Sequence, residues 1–263
     1  MKTNEVYLGD ANVLIKDIPN KSINIIYTDI PYLYQMGGGG SSDVALRIRK
    51  NADRLEQAGI DCGIDYNIFY DFARVMKKIN LFIWCSKMQI LDILNWWTDY
   101  AENHDIKLFF EILVWCKTNP TPATNNTWLP DVEYCLYFRE SGIKLNDGYE
   151  HKHKYFISGL NVLDKNDYEH PTIKPLECCM KHIEHVCQPG DVVLDPYAGS
   201  GTSLYAAKML GLNYIGFEIN PEYHKIALDR LSGFNQKGEM DLLGFDQNDA
   251  GMLEQLSLFD TEE

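Results

Sequence analysis

Between residues 192 and 218 the chain reads VVLDPYAGSGTSLYAAKMLGLNYIGFE, and no other stretch limits the possible folds so strongly. A short apolar run ends in Asp195. A turn containing Gly199 and Gly201 follows, then a helical segment, then a second apolar run ending in Glu218. Strand, tight turn, helix and strand in this order make a βαβ unit, in which glycines let the backbone turn sharply and approach a ligand closely. PEYHKIALDRL continues the alternation with another helix. Alternating strands and helices predict an α/β fold with a doubly wound, mostly parallel sheet.

The remaining segments fit that plan. VYL and INIIYTD near the N-terminus read as strands around a helical patch, ANVLIKDI. QMGGGGSSD reads as a loop, residues 44–58 as a basic helix, and 66–78 as an amphipathic helix. LFIWC (81–85) reads as a buried strand and 87–102 as a helix. FFEILVWCK (109–117) and VEYCLYF (132–138) read as strands around a Pro/Asn-rich loop, and PLECCMKHIEHV (175–186) as a helix. Residues 139–170 are polar, aromatic and irregular, which suggests an insertion. The expected organisation is one domain over 1–232 and an acidic tail over 233–263.

Composition sets limits on partners. A net charge of −14 argues against a general polyanion binder. Residues 233–263 contain a single lysine, Lys237, against eight acids, so half of that excess lies in the tail. Positive charge gathers at Arg47, Arg49, Lys50 and Arg54, and at Lys144, Lys152 and Lys154. These are candidate phosphate contacts if they face one cleft. The N-terminus lacks an apolar run suited to a signal peptide or membrane span. The seven cysteines are odd in number, contain no C-x-x-C and sit mostly in apolar stretches, so they read as reduced core thiols of a cytoplasmic protein. Cys178, His182 and His185 share helical spacing, but one helix presenting an apolar stripe explains them better than a metal site, and no metal is expected.

The glycine turn suggests a ligand. Leu204 occupies the third glycine position of a dinucleotide fingerprint, and Asp195 puts a carboxylate beside the turn, where it would repel a diphosphate. Glu218, nineteen residues beyond Gly199, is placed to bind ribose hydroxyls. A ligand with an ammonium, a sulfonium and a ribose suits this set, and S-adenosylmethionine has all three. A turn that only packs a helix on a strand is the alternative. The expected cofactor contacts are Asp195, Pro196, Tyr197, Ala198, Gly199, Ser200, Gly201, Thr202 and Glu218.

A second constellation, Thr28-Asp29-Ile30-Pro31-Tyr32, closes the strand INIIYTD. Asp29 and the Ile30 carbonyl offer acceptors, and Tyr32 offers an aromatic face. Together they suit a planar base carrying an NH₂ group. An ordinary strand end with a proline turn is the alternative.

With both motifs in view, the chain resembles the amino-methyltransferases of DNA, which carry D/S/N-P-P-Y and D-P-x-x-G-S-G-T motifs. The catalytic motif comes first here, as in the permuted β group. LGDANVLIKDIPNKSINIIYTDIPY is similar to that group's opening, ILVWCKTNPTPATNNTWLPDVEYCLYF to its central segment and HPTIKP (170–175) to its H-P-x-x-K-P element. The resemblance covers roughly residues 5–232. It implies methylation of a flipped base in double-stranded DNA, with adenine N6 favoured because Asp29 holds the first motif position. Cytosine N4 and an inactive, partner-binding relative are the other readings. It also adds Asp10, Thr172 and Lys174 to the cofactor set, the last two near the methionine end. Ile30 replaces the family's first proline, which predicts a less rigid loop. Residues 139–170 become the candidate target-recognition insertion. In the tail, Gln255-Leu256-Ser257-Leu258-Phe259 resembles the pentapeptide that docks proteins on the bacterial sliding clamp. A homodimer is left open.

Overall fold

The computed structural model describes residues 1–33, 63–120, 128–146, 148, 152–159 and 173–233. In chain order the elements are β1 (Glu5–Leu8), α1 (Ala11–Leu14) with a 3-10 turn (Ile15–Asp17), β2 (Ile25–Asp29), α2 (Ile68–Val75), β3 (Asn80–Cys85) and α3 (Ile90–Asn103). They continue with β4 (Leu108–Lys117), β5 (Val132–Glu140), β6 (Tyr155–Ser158), α4 (Leu176–Val186), β7 (Val192–Asp195), α5 (Thr202–Met209), β8 (Asn213–Glu218) and α6 (Pro221–Ser232).

The strands form one sheet in the order β1-β8-β7-β2-β3-β5-β4-β6. β5 pairs antiparallel with both neighbours, and every other pairing is parallel. The apolar runs explain why the centre of this sheet is covered on both sides. All six residues of β3 are buried, as are Ile25 to Thr28 of β2. Strands buried on both faces need helices on both faces. Successive side chains alternate between two cores. Tyr27, Phe82, Trp84 and Tyr137 face a core closed by Ile183 of α4, Leu204 of α5 and Leu231 of α6. Ile26, Ile83, Leu136 and Phe138 face the other, closed by Phe69 and Phe72 of α2 and Trp97 of α3.

The connections leave β7 and β2 in opposite directions. From β7 the chain crosses through α5 to β8 on one side, and from β2 through α2 to β3 on the other. The two helices lie on opposite faces, so the loops after Asp195 and Asp29 diverge and leave a crevice between two adjacent strand tips. Open α/β sheets bind ligands at such a switch point.

Two segments differ from the sequence expectation. The helix expected over 66–78 stops at Val75, because Met76 turns extended (ψ 137) and the Lys77 amide donates to the Ile23 carbonyl at 2.8 Å. The stretch expected to be irregular over 139–170 contains β6, whose YFIS pairs with Val114–Lys117 of β4. Three of its four residues are aromatic or β-branched types that fit a pleated edge, and Ser158 Oγ accepts from Trp115 Nε1 at 2.9 Å. Among the described residues no helix is long and apolar enough to cross a membrane.

Candidate active site

A cleft of about 340 Å³ lies over the switch point, lined from one wall by Asp195–Ser200 and Glu218 and from the other by Asp29–Tyr32. The tip of β7 is tied to β2 by its side chains. Asp195 Oδ1 accepts from Thr28 Oγ1 at 2.8 Å and from the Tyr197 amide at 3.0 Å, and Oδ2 accepts from Ser203 Oγ. Burial pushes the Asp195 carboxyl up to about 7 against the pull of these donors. After it the loop is pinned to β8: the Ala198 amide donates to the Phe217 carbonyl at 2.8 Å, and the Gly199 amide to Glu218 Oε2 at 2.8 Å. Glu218 Oε1 accepts from the Asn220 amide at 2.7 Å, which fixes its carboxylate at the cleft wall. Gly201 has φ 76, and a Cβ there would stand 3.0 Å from the Ala227 methyl, so only glycine lets α5 start here without strain. Asp10 caps α1, accepting from the Asn12 amide at 2.8 Å, and the Gly9 amide bonded to the Glu218 carbonyl brings it to the same rim.

At the tip of β2, Ile30 is buried and its amide donates to the Trp84 carbonyl at 3.3 Å. A proline could not make that bond. The expected loss of rigidity at Ile30 is therefore offset by one more rung to β3. Gln89, almost fully buried at the start of α3, holds the residues that follow. Its Nε2 donates to the Pro31 carbonyl at 3.0 Å, while its Oε1 accepts from the Leu33 amide at 3.2 Å and the Ser86 amide at 3.0 Å.

Lys174 sits beneath this loop. Its ammonium meets Asp29 Oδ2 at 2.5 Å, Glu133 Oε2 at 3.0 Å and the Tyr32 hydroxyl at 3.1 Å. Glu133 Oε1 pairs with Lys117 at 2.7 Å. Burial opposes the Glu133 charge, yet the two lysines hold its carboxyl down at about 2. Asp29 moves the other way: burial raises it, and Lys174 only partly counters that. Asp29 Oδ1 is buried and accepts no hydrogen bond among the described residues. An unmet buried carboxylate oxygen at a cleft wall is a ready acceptor for a ligand's N–H.

Among the described residues the cleft thus carries Asp10, Asp29, Asp65, Asp195 and Glu218 against one ammonium, which is already engaged by two carboxylates. That donor set fits a cationic ligand with hydroxyls and disfavours a diphosphate.

The model of the family described as DNA methylase matches residues 23–229. The chain belongs to that family. Among curated relatives, Type II methyltransferase M.HinfI of Haemophilus influenzae is 27% identical over 256 residues, covering 87% of this chain and 68% of the relative. Type II methyltransferase M2.DpnII of Streptococcus pneumoniae is 28% identical over 242 residues, covering 87% and 89%. Among solved structures, the M1.HpyAVI–SAM complex is similar with a TM-score of 0.64 and 26% identity, covering 86% of this chain and 98% of that one. PvuII DNA methyltransferase (cytosine-N4-specific) has a TM-score of 0.61 at 16% identity, which bears on the fold alone. The fold of this DNA methylase is that of the S-adenosylmethionine-dependent methyltransferases, and S-adenosylmethionine is its cofactor. The acidic cleft fits that cofactor's charge.

Most of the predicted positions of the DNA methylase converge. Asp10, Asp29, Ile30, Pro31, Tyr32, Lys174, Asp195, Pro196, Tyr197, Ala198, Gly199, Ser200, Thr202 and Glu218 line the cleft, with Gly201 shaping the turn behind it. The Lys174 ammonium is turned to the β2 tip. Thr172, Arg47, Arg49, Lys50, Arg54 and Gln255–Phe259 lie outside the described residues. The second basic cluster does not gather at the cleft. β5 runs antiparallel and carries the chain to the far end of the sheet, so Lys144 follows the end of β5 that pairs with the start of β3. Lys152 and Lys154 lead into the edge strand β6, where Lys154 pairs with Glu111. Cys178, Cys179 and His182 are buried in the core, and among the described residues no His/Cys/Asp/Glu group is arranged to hold a metal. Gln89, Lys117 and Glu133 were not picked out from the sequence. The available signal was that Lys117 closes one expected strand and Glu133 stands near the opening of the next.

Proposed function

We propose that this DNA methylase is a site-specific methyltransferase acting on adenine N6 in double-stranded DNA, of the permuted β type. The observation that carries the reading is that Asp29, with one bare buried oxygen, shares a cleft with Asp195 and Glu218. When bound, S-adenosylmethionine supplies an electrophilic methyl group on a sulfonium. Asp10, Asp195, Glu218 and the Pro196–Thr202 loop would hold it, with Thr172 toward its methionine end. The target base must leave the duplex, because its amino group cannot reach the cleft while stacked. Tyr32 stacks on the extruded ring. Asp29 Oδ1 and the Ile30 carbonyl accept its two amino hydrogens, which draws the nitrogen lone pair out of ring conjugation and toward the methyl donor. Asp29 stabilises the positive charge that grows on nitrogen, and the surplus proton passes to water.

Asp at the first motif position supports adenine over cytosine, and residues 139–170 with the Arg47–Arg54 cluster supply candidate DNA contacts. The domain of residues 1–232 does the chemistry, and Gln255–Phe259 in the tail tethers it to a sliding clamp, which would raise its local concentration on DNA. Deleting residues 255–259 should abolish binding to the clamp, and undiminished binding would refute the tether.

The chemistry is tested by incubating purified protein with S-adenosylmethionine and DNA, then analysing nucleosides by mass spectrometry. N6-methyladenine is expected, and N4-methylcytosine would reject the adenine assignment. Asp29→Ala should abolish turnover and leave cofactor affinity within a few-fold; full activity in that variant would reject the role of Asp29.

A further inference from the structure

Lys174 does not serve Asp29 alone. Its ammonium is buried, 5.2 Å from the Tyr32 ring centroid and 5.3 Å from that of Trp84. An ammonium has three donors, and the Asp29, Glu133 and Tyr32 oxygens account for three partners. The Tyr32 hydroxyl in turn donates to Glu133 Oε2 at 3.4 Å. With Lys117 on the other Glu133 oxygen, charges alternate along Lys117, Glu133, Lys174 and Asp29, and they sum to zero. The chain of pairs runs from β4 through β5 and over the end of β3 to the tip of β2.

This arrangement has a consequence for the bare oxygen of Asp29. A buried lysine paired with Asp29 only would concentrate its field on that carboxylate and weaken it as an acceptor. No lysine at all would leave the buried carboxylate to take up a proton. Sharing Lys174 between two carboxylates avoids both extremes, and it occupies Oδ2 so that Oδ1 is the oxygen left over. We propose that Glu133 is a positioning residue of the transfer site: acting through Lys174, it sets which Asp29 oxygen meets the substrate amino group and how strongly that oxygen accepts. This rests on the reading of Asp29 as the amino acceptor.

The groups facing Asp29 are Lys174, Glu133 and the Tyr32 hydroxyl, with Asp195 on β7 and Cys85 on β3 nearby. Glu133→Gln keeps shape and an oxygen for Lys174 but removes one negative charge. The single-turnover rate should fall tenfold or more, with the calorimetric Kd for S-adenosylmethionine within twofold of wild type and the acid limb of the rate profile displaced to lower pH. Glu133→Asp should restore part of the rate. In a Lys174→Met background, Glu133→Gln should have no further effect on rate. A wild-type rate in Glu133→Gln, or the same further loss in both backgrounds, would overturn the proposal. A second measurement needs no turnover: ¹³C titration of the Asp29 carboxyl in cofactor-free protein, where Glu133→Gln should lower the midpoint. An unmoved midpoint overturns the proposal whatever the rates are. Failure of the functional reading looks different, since wild-type protein would then yield another methylated base or none while the Asp29 midpoint still responded to Glu133.

Discussion

The Thr28 hydroxyl donates to Asp195 Oδ1 at 2.8 Å, joining the strand that ends in Asp29 to the strand that opens the cofactor loop. Thr28 is fully buried and Asp195 nearly so, which makes the bond hard to replace with water. The two strands are neighbours in the sheet, and this bond ties the two walls of the cleft together beyond their backbone pairing.

Thr28→Val tests that coupling. The valine keeps the volume and removes a donor to a buried carboxyl, a change of about 1–3 kcal/mol. A cationic cofactor prefers ionised Asp195, so its binding should strengthen as pH rises through about 7 in the wild type. Loss of the Thr28 donor raises the Asp195 midpoint, so the same limb should move to higher pH in the variant. Isothermal titration calorimetry across pH 5–9 (an experimental range on the order of the shift) reads this, and superimposable profiles would contradict it.

Acid stability should depend on His182. Trp84 Nε1 donates to the Tyr27 hydroxyl at 3.0 Å, and that hydroxyl lies within hydrogen-bond distance of His182 Nδ1 at 3.2 Å. Burial holds His182 down to about 3 from an ordinary 6.5. The unfolded chain therefore takes up a proton first. Stability from this group is present above about 6.5 and is lost as pH falls toward 3, at up to about 1.4 kcal/mol per pH unit. Asp195, raised from 3.8 to about 7, contributes in the opposite sense: its share declines as pH rises across that window. Urea unfolding of His182→Asn should show a shallower acid slope than wild type between pH 4 and pH 6, a window set at roughly the middle of the shift.

Gln89→Ala should loosen the loop that carries Pro31 and Tyr32. It strands the Pro31 carbonyl and the Leu33 and Ser86 amides, at about 1–3 kcal/mol of stability. The rate should drop by about tenfold or more, since a misplacement on the order of 1 Å can cost roughly a hundredfold. Cofactor affinity should hold, because the bonds Gln89 makes to Pro31, Leu33 and Ser86 are on the β2 side of the cleft. Equal losses in rate and cofactor affinity would show that the staple spans both walls.

Gly201→Ala should act on the other wall. Alanine at φ 76 costs about 1–2 kcal/mol, and its methyl would press on Ala227. A lower melting temperature with weaker cofactor binding is expected, measured by calorimetry of each kind. An unchanged affinity would mean that the cofactor loop tolerates a shift of the start of α5.

Some of this was legible from local pattern. The run VVLD, the glycine turn and the helix behind it are adjacent in sequence, so their geometry follows from short-range sterics and hydrophobic periodicity. The same holds for the TDIPY strand end and for the two acids, Asp195 and Glu218. Ile30 is an intermediate case. Its departure from the proline pattern was visible, but the compensating bond to Trp84 depends on β3, more than fifty residues away.

The sequence by itself determined most of the elements, β6 excepted, and which of them end in chemistry-bearing residues, because helix, strand and turn preferences act over a few neighbouring positions. The tertiary structure alone decided that β2 and β7 are neighbours whose loops diverge, that Lys174 is shared by Asp29 and Glu133, and that Lys144 ends far from the cleft. Those facts depend on strand pairing and core packing between residues as much as 167 positions apart, as with Thr28 and Asp195, and no local pattern encodes them.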